Sequence, residues 1–305
     1  MMQSLNDINE LHKFQSLDLI ARQVVEGFIT GLHKSPFHGF SVEFAEHRLY
    51  NTGESVRNID WKLYGRTDKL FSKRYEEETN LRCQLIVDCS ASMYFPETPN
   101  NKLAFSAYSA AALIQLLKRQ RDAFGLSLFS DRITLHTGSR STASHQKLLY
   151  FELDKLLQAP PEKKGSAIAA TIHEIAEKLH KRSLVIIFTD MMDSYKKEDE
   201  LFAALQHLKH NKHEVVLFHV QDAKHEIDFA FENRPYVFVD MESGAEVKAF
   251  PHEIKDNYVR AMDNFRREMK LRCGQYGIDL VNADINAGFY QVLRAYLMKR
   301  NRMKV

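Results

Sequence analysis

Apolar residues recur three and four apart from Leu17 to Ile29 (LDLIARQVVEGFI), the spacing of a helix with one buried face. The pattern then dissolves. Between Gly31 and Asn80, glycine, proline and paired charges interrupt every run, which predicts loops with short strands near Ser41–Phe44 and Leu70–Glu77. From Leu81 the chain becomes regular, and buried strands alternate with helices. Strands are predicted at Cys83–Val87, Leu126–Phe129, Ile133–His136, Leu184–Phe188, Val215–Val220 and Ile278–Val281. Helices are predicted at Lys102–Phe124, Gln146–Leu157, Ile168–Leu179, Glu200–Leu208, Glu253–Tyr276 and Phe289–Lys299. The helix from Lys102 has an alanine-rich, nearly all-apolar middle, as expected of a helix lying on a sheet.

Strands that alternate with helices need right-handed crossovers. They predict a mostly parallel, doubly wound (Rossmann-like) α/β sheet with helices on both faces. Leu126–Phe129 and Ile133–His136, joined by Ser130-Asp131-Arg132, form a hairpin that places one antiparallel strand at the edge. The alternation breaks at Gln221–Pro251, where two strand-like runs joined through Glu242-Ser243-Gly244 predict an inserted surface hairpin. The expected organisation is an N-terminal α+β region at 1–80 and an α/β domain at 81–305, with the insertion at about 221–251.

Composition narrows the setting. A chain of 305 residues, 44% hydrophobic and 27% charged, can bury a core without disulfides or structural zinc. Cys83, Cys89 and Cys273 form no CxxC pair, which predicts reduced thiols and a cytoplasmic protein. The start, MMQSLNDINELHKF, is too polar for a signal peptide, and no apolar run reaches the ~18 residues of a membrane span. A net charge of +2 with mixed signs points away from nucleic acid as a partner.

Ligands of such sheets bind outside the carboxyl ends of the strands, and chemistry-bearing residues gather there. The first strand of the domain runs into Asp88-Cys89-Ser90-Ala91-Ser92, an Asp-x-Ser-x-Ser sequence. Leu184–Phe188 runs into Thr189-Asp190, and Lys164-Gly165-Ser166 opens a helix between them. Carboxylates with hydroxyls form an all-oxygen donor set suited to a hard cation such as Mg²⁺. The plain alternative is that Asp88 and Ser90 only cap a helix.

The three groups together resemble the metal-ion-dependent adhesion site of von Willebrand factor A-type domains. That resemblance implies Asp88, Ser90, Ser92, Ser166 and Asp190 as the metal set for one Mg²⁺ (or Mn²⁺ or Ca²⁺). The hydroxyls would touch the ion, and the aspartates would often act through water. The family usually has threonine where this chain has Ser166, which implies a weaker or more mobile ligand.

A second resemblance spans nearly the whole chain. Glu43-Phe44-Ala45-Glu46-His47-Arg48, Asp60-Trp61-Lys62, Tyr75-Glu76-Glu77-Glu78, Gly277-Ile278-Asp279 and Leu293-Arg294-Ala295-Tyr296-Leu297 are similar to the bacterial domain-of-unknown-function family 58. Its members usually accompany MoxR-type AAA+ ATPases. What the resemblance implies is a non-enzymatic accessory protein. It would use its metal ion to grip an acidic side chain of such an ATPase or of a client protein.

The rival readings are a phosphate-ester hydrolase using Asp88 at the same strand ends, and a scaffold with a degenerate site. Hydrolases of that kind carry a second aspartate where this chain has Ser90, and the sequence offers no clear lysine partner for Asp88. No GxSxG, GxxxxGK[ST] or GxGxxG sequence is present. His207, His210 and His213, spaced by three, are expected on a solvated face, and His173-Glu174 lacks the second histidine of HExxH. Asp60, Trp61, Lys62 and Arg66 predict a packed polar network, with a partner surface as the second reading.

Overall fold

The computed structural model describes residues 16–32, 44–49, 61–67, 70–75, 81–160, 167–192 and 198–303. The chain forms two compact units. One comprises Met1–Thr30 with Arg82–Val305, the other Gly31–Leu81.

In the large unit six strands lie in the order β10-β7-β6-β3-β4-β5: β3 (Arg82–Asp88), β4 (Ala123–Phe129), β5 (Ile133–His136), β6 (Leu184–Thr189), β7 (Glu214–Gln221) and β10 (Asp279–Asp284). All neighbours are parallel except β5, which runs antiparallel to β4 at the edge. The sheet is therefore the predicted α/β type. β3 and β6 are buried along almost their whole length and read as continuous apolar runs, as central parallel strands covered on both faces should. Helix α3 (Lys102–Arg119) is buried at every residue from Lys102 to Ile114, and its alanines let it lie close against the sheet. Helices α4 (Ala143–Gln158), α5 (Ile168–Lys178), α6 (Glu198–His210), α7 (Pro251–Gln275) and α8 (Tyr290–Met303) complete the cover. Phe105 of α3 stacks on Phe289, with ring centroids 5.4 Å apart.

The first helix, α1 (Leu17–Leu32), belongs up to Thr30 with this large unit, not with the polar region 1–80 where sequence alone grouped it. Its buried stripe explains the placement: Leu17, Ile20, Ala21, Val24, Val25 and Phe28 are all covered, and Phe28 meets Tyr290 at 5.3 Å. The small unit holds an antiparallel pair, β1 (Phe44–Leu49) and β2 (Phe71–Tyr75), and a short helix, α2 (Trp61–Thr67).

Several expectations need correction. The first strand of the small unit lies at Phe44–Leu49, beyond the expected Ser41–Phe44, of which residues 41–43 lie outside the described residues. Helix α2 stands where loops and strands were expected. Two turns are too short to show a period, and local contacts hold them: Trp61 meets Tyr64 edge-on at 6.2 Å, and Thr67 donates to the Leu63 carbonyl. Trp61 is 61% exposed, so it does not sit inside a packed polar network. Asp60 and the Lys62 side chain lie outside the described residues. Helix α3 stops at Arg119, five residues before its predicted end. Arg121 turns into the left-handed region at φ 60°, and Asp122 is held by a buried ion pair to Arg300 of α8. His213 is fully buried and accepts from the Ser183 N–H, so only part of the histidine series is solvated.

The insertion begins with one wide turn (Ala223–Ile227) and continues into an antiparallel hairpin, β8 (Tyr236–Val239) and β9 (Glu246–Ala249). Among the described residues no helix is long and apolar enough to cross a membrane.

Gly125 tests the central packing. The Gln84 side chain reaches across β4 to donate to Ser127 Oγ (2.9 Å) and to the Thr137 carbonyl (3.2 Å). A Cβ at Gly125 would lie 2.3 Å from Gln84 Oε1 and 2.7 Å from the Thr137 oxygen. Gly125→Ala is expected to cost about 1–3 kcal/mol by overpacking. Thermal unfolding should then shift down by roughly 2–10 °C, and an unchanged midpoint would contradict this packing.

Candidate metal centre

β3 and β6 run side by side in parallel, with Val87 opposite Phe188. The next residues, Asp88 and Thr189-Asp190, therefore emerge together at the carboxyl edge of the sheet. Asp88 is fully buried and Asp190 is 3% exposed. A carboxylate removed from water must find donors, and each does. Asp88 accepts from the Ser90 N–H at 2.9 Å on one oxygen and from the Thr189 hydroxyl at 2.7 Å on the other. Asp190 accepts from the Met192 N–H at 3.2 Å and from the Lys102 ammonium at 2.7 Å.

The turn after β6 stores strain to make this possible. Met191 adopts φ 55° although it is not glycine, at a cost of roughly 1–2 kcal/mol. Its N–H bonds to Thr189 Oγ1 at 3.0 Å, which holds the turn. Thr189 thus serves both carboxylates: directly for Asp88, and for Asp190 through the turn.

Ser90 and Ser92 face this pair. Ser90 precedes a short helical turn (Ala91–Tyr94) but makes no side-chain cap there, so the capping alternative fails for its hydroxyl. Instead Ser90 Oγ lies 3.2 Å from Ser92 Oγ. Both hydroxyls also support the carboxylates, Ser90 toward Asp88 and Ser92 toward Asp190. Four of the five residues expected from sequence therefore converge. The fifth, Ser166, lies outside the described residues.

Burial, and then the nearby Asp190, push the Asp88 carboxyl up to about 6. Burial works in the same direction on Asp190, but Lys102 outweighs it and holds that carboxyl below its ordinary value. His219, beside Thr189 on β7, is pushed down to about 4 by burial, so it is a neutral wall near neutral pH.

The donor set fits a hard divalent ion. Two oxygens each about 2.1 Å from an octahedral Mg²⁺ and at right angles lie about 3.0 Å apart, close to the observed serine spacing. No group of three or more His, Cys, Asp or Glu side chains is arranged to hold a metal among the described residues. A site here would depend on hydroxyls, with two carboxylates supplying charge.

Sequence reasoning missed two members of the cluster, Lys102 and Glu226. Lys102 Nζ lies 2.7 Å from Asp190 and 2.6 Å from Glu226 Oε1, and is 1% exposed. Its signal was present: a lysine opening an otherwise apolar helix sits where the helix dipole disfavours a cation. Glu226 carried no such signal, because it stands in the irregular start of the insertion.

The sequence profile of the family described as "Protein of unknown function DUF58" matches residues 46–268, well over half of the chain. The chain belongs to this family. The DUF58 match takes in Asp88, Ser90, Ser92 and Asp190 as well as Lys102 and Glu226. An uncharacterized protein of Mycobacterium tuberculosis is 23% identical over 290 residues, 94% of this chain and 89% of its own. Among solved structures, this DUF58 chain is similar to the conserved hypothetical protein BatB from Bacteroides thetaiotaomicron. The identity is 16%, over 73% of this chain and 98% of that one, with a TM-score of 0.47. It is also similar to a von Willebrand factor type A protein from Catenulispora acidiphila (18% identity, 47% of this chain, 34% of that one, TM-score 0.36). Likenesses of this strength add nothing to the strand order, on which the fold assignment rests.

Thr189→Val removes a donor to Asp88 and the acceptor of the Met191 N–H while keeping the shape. It is expected to destabilise the chain by about 1–3 kcal/mol, and Thr189→Ser to recover most of the loss in a thermal melt. Equal melting of all three chains would show that the hydroxyl does not organise the strand ends.

Proposed function

We propose that this DUF58 protein is a non-enzymatic adaptor that binds one Mg²⁺, Mn²⁺ or Ca²⁺ ion at the mouth of its sheet. Through that ion it grips an acidic side chain of a protein partner. The observation that carries the reading is the pair of serine hydroxyls 3.2 Å apart in front of two buried carboxylates. Ser90 and Ser92 would hold the ion directly, with Ser166 as a third hydroxyl, while Asp88 and Asp190 supply charge. The ion would contribute Lewis acidity toward an outside oxygen. Neutral hydroxyls leave a hard cation short of negative charge, so a carboxylate from a partner is the favoured further ligand.

A binding role suits Asp88 better than catalysis. Both Asp88 oxygens are held in place by hydrogen bonds, from the Ser90 N–H and the Thr189 hydroxyl, and Ser90 stands where a hydrolase of that kind carries its second aspartate. The family resemblance makes a MoxR-type AAA+ ATPase, or a client handed to it, the first candidate partner, with the cytoplasm as the setting.

Calorimetric titration with Mg²⁺ and Mn²⁺ should give one site in the native chain and none in Asp88→Ala. Equal binding by the two chains would remove Asp88 from the site.

The partner is tested separately. Native protein should recover the MoxR-type ATPase from lysate, and should lose it with chelator or with Asp190→Ala, the fold of the variant being checked by circular dichroism. Recovery that survives chelation would mean that the partner does not bind through a metal ion.

A further inference from the structure

Lys102 is the first residue of α3, and the Cα–Cβ bonds of a helix tilt toward its N-terminus. A long side chain in this place reaches back past the helix start to the strand ends. The residue stands at the helix end whose dipole opposes a cation, and its ammonium is buried. Two carboxylates offset that opposition. Asp190 takes the ammonium at 2.7 Å and Glu226 at 2.6 Å, and the second Glu226 oxygen is fixed by the Asp222 N–H at 2.7 Å. The Phe95 ring closes the same space, 5.8 Å from Nζ.

We propose that Lys102 is a built-in counter-cation of the site, competing with the divalent ion for Asp190, and that Glu226 of the insertion sets the strength of this competition. The inference rests on the metal-centre reading above. With no ion bound, the ammonium neutralises Asp190 and so stabilises the empty site. A divalent ion arriving beside Asp190 meets the positive charge of Lys102, which lowers its affinity. Glu226 gives the ammonium a second carboxylate and so relieves its hold on Asp190. Binding of the ion and of an acidic partner group is thereby coupled: the partner's carboxylate supplies the negative charge that Lys102 has cancelled. The wide turn that carries Glu226 opens the insertion, so a change in that segment would be felt at the metal.

The test is calorimetric titration of Mn²⁺ and Mg²⁺ into the full native chain, Lys102→Met and Glu226→Gln. Removing a unit charge close to a divalent ion in a buried site should tighten its binding by about tenfold or more. Lys102→Met is therefore expected to bind more tightly, and Glu226→Gln, which leaves the ammonium to Asp190 alone, more weakly. Native binding with no gain in Lys102→Met overturns the inference while leaving the metal centre intact. Absence of binding in both the native chain and Lys102→Met removes the metal reading and this inference together. If Lys102→Met does not fold, Glu226→Gln decides, and unchanged or tighter binding there overturns the proposal.

Discussion

Two buried carboxylates on neighbouring parallel strands are the constraint around which the sheet's carboxyl edge is built. The register of β3 and β6 leaves no choice about their proximity: once Val87 faces Phe188, Asp88 and the Thr189-Asp190 pair must share one space. Neither carboxylate can keep its water, and each raises the cost of the other's charge. The local structure answers with donors. The Ser90 and Met192 N–H groups, the Thr189 hydroxyl and the Lys102 ammonium each satisfy one oxygen. Met191 keeps a strained backbone so that this arrangement closes.

Because the cluster already has a cation, its chemistry differs from that of a bare pair of acids. Lys102 holds Asp190 ionised, whereas burial beside Asp190 brings Asp88 to about 6. Under the proposed function, two serine hydroxyls and two carboxylates, one of them already paired with Lys102, would make a modest cation binder. Such a site suits recognition, where the last ligand comes from another protein, better than permanent structural metal binding. The small unit, Gly31–Leu81, and the insertion after β7 are the parts of this DUF58 chain outside the alternating pattern, and the insertion supplies Glu226 to the site.

Much of this was legible in the residues alone, for physical reasons. Central parallel strands must be apolar on both faces, so QLIV and LVIIF announce themselves, and their ends locate Asp88 and Asp190. Asp-x-Ser-x-Ser places hydroxyls two apart in the turn after a strand, which is why Ser90 and Ser92 were found with Asp88. The errors also had causes. The end of α3 was hard to see because no glycine marks it: Arg121 takes the left-handed turn itself, the Asp122 N–H closes it on the Leu117 carbonyl, and the ion pair from Asp122 to Arg300 of α8 is too distant in sequence to be foreseen. Helix α2 is too short to show a period. Lys102 stands out in the sequence only as a lysine that opens an apolar helix, and its role emerges when Asp190, 88 residues away, is placed beside it.

The most direct measurement is anomalous diffraction at the manganese edge from crystals of the native protein soaked in Mn²⁺. The account predicts one strong peak within bonding distance of the Ser90 and Ser92 hydroxyls, between Asp88 and Asp190. An empty strand mouth at saturating Mn²⁺, with Lys102 still bonded to Asp190, would contradict it.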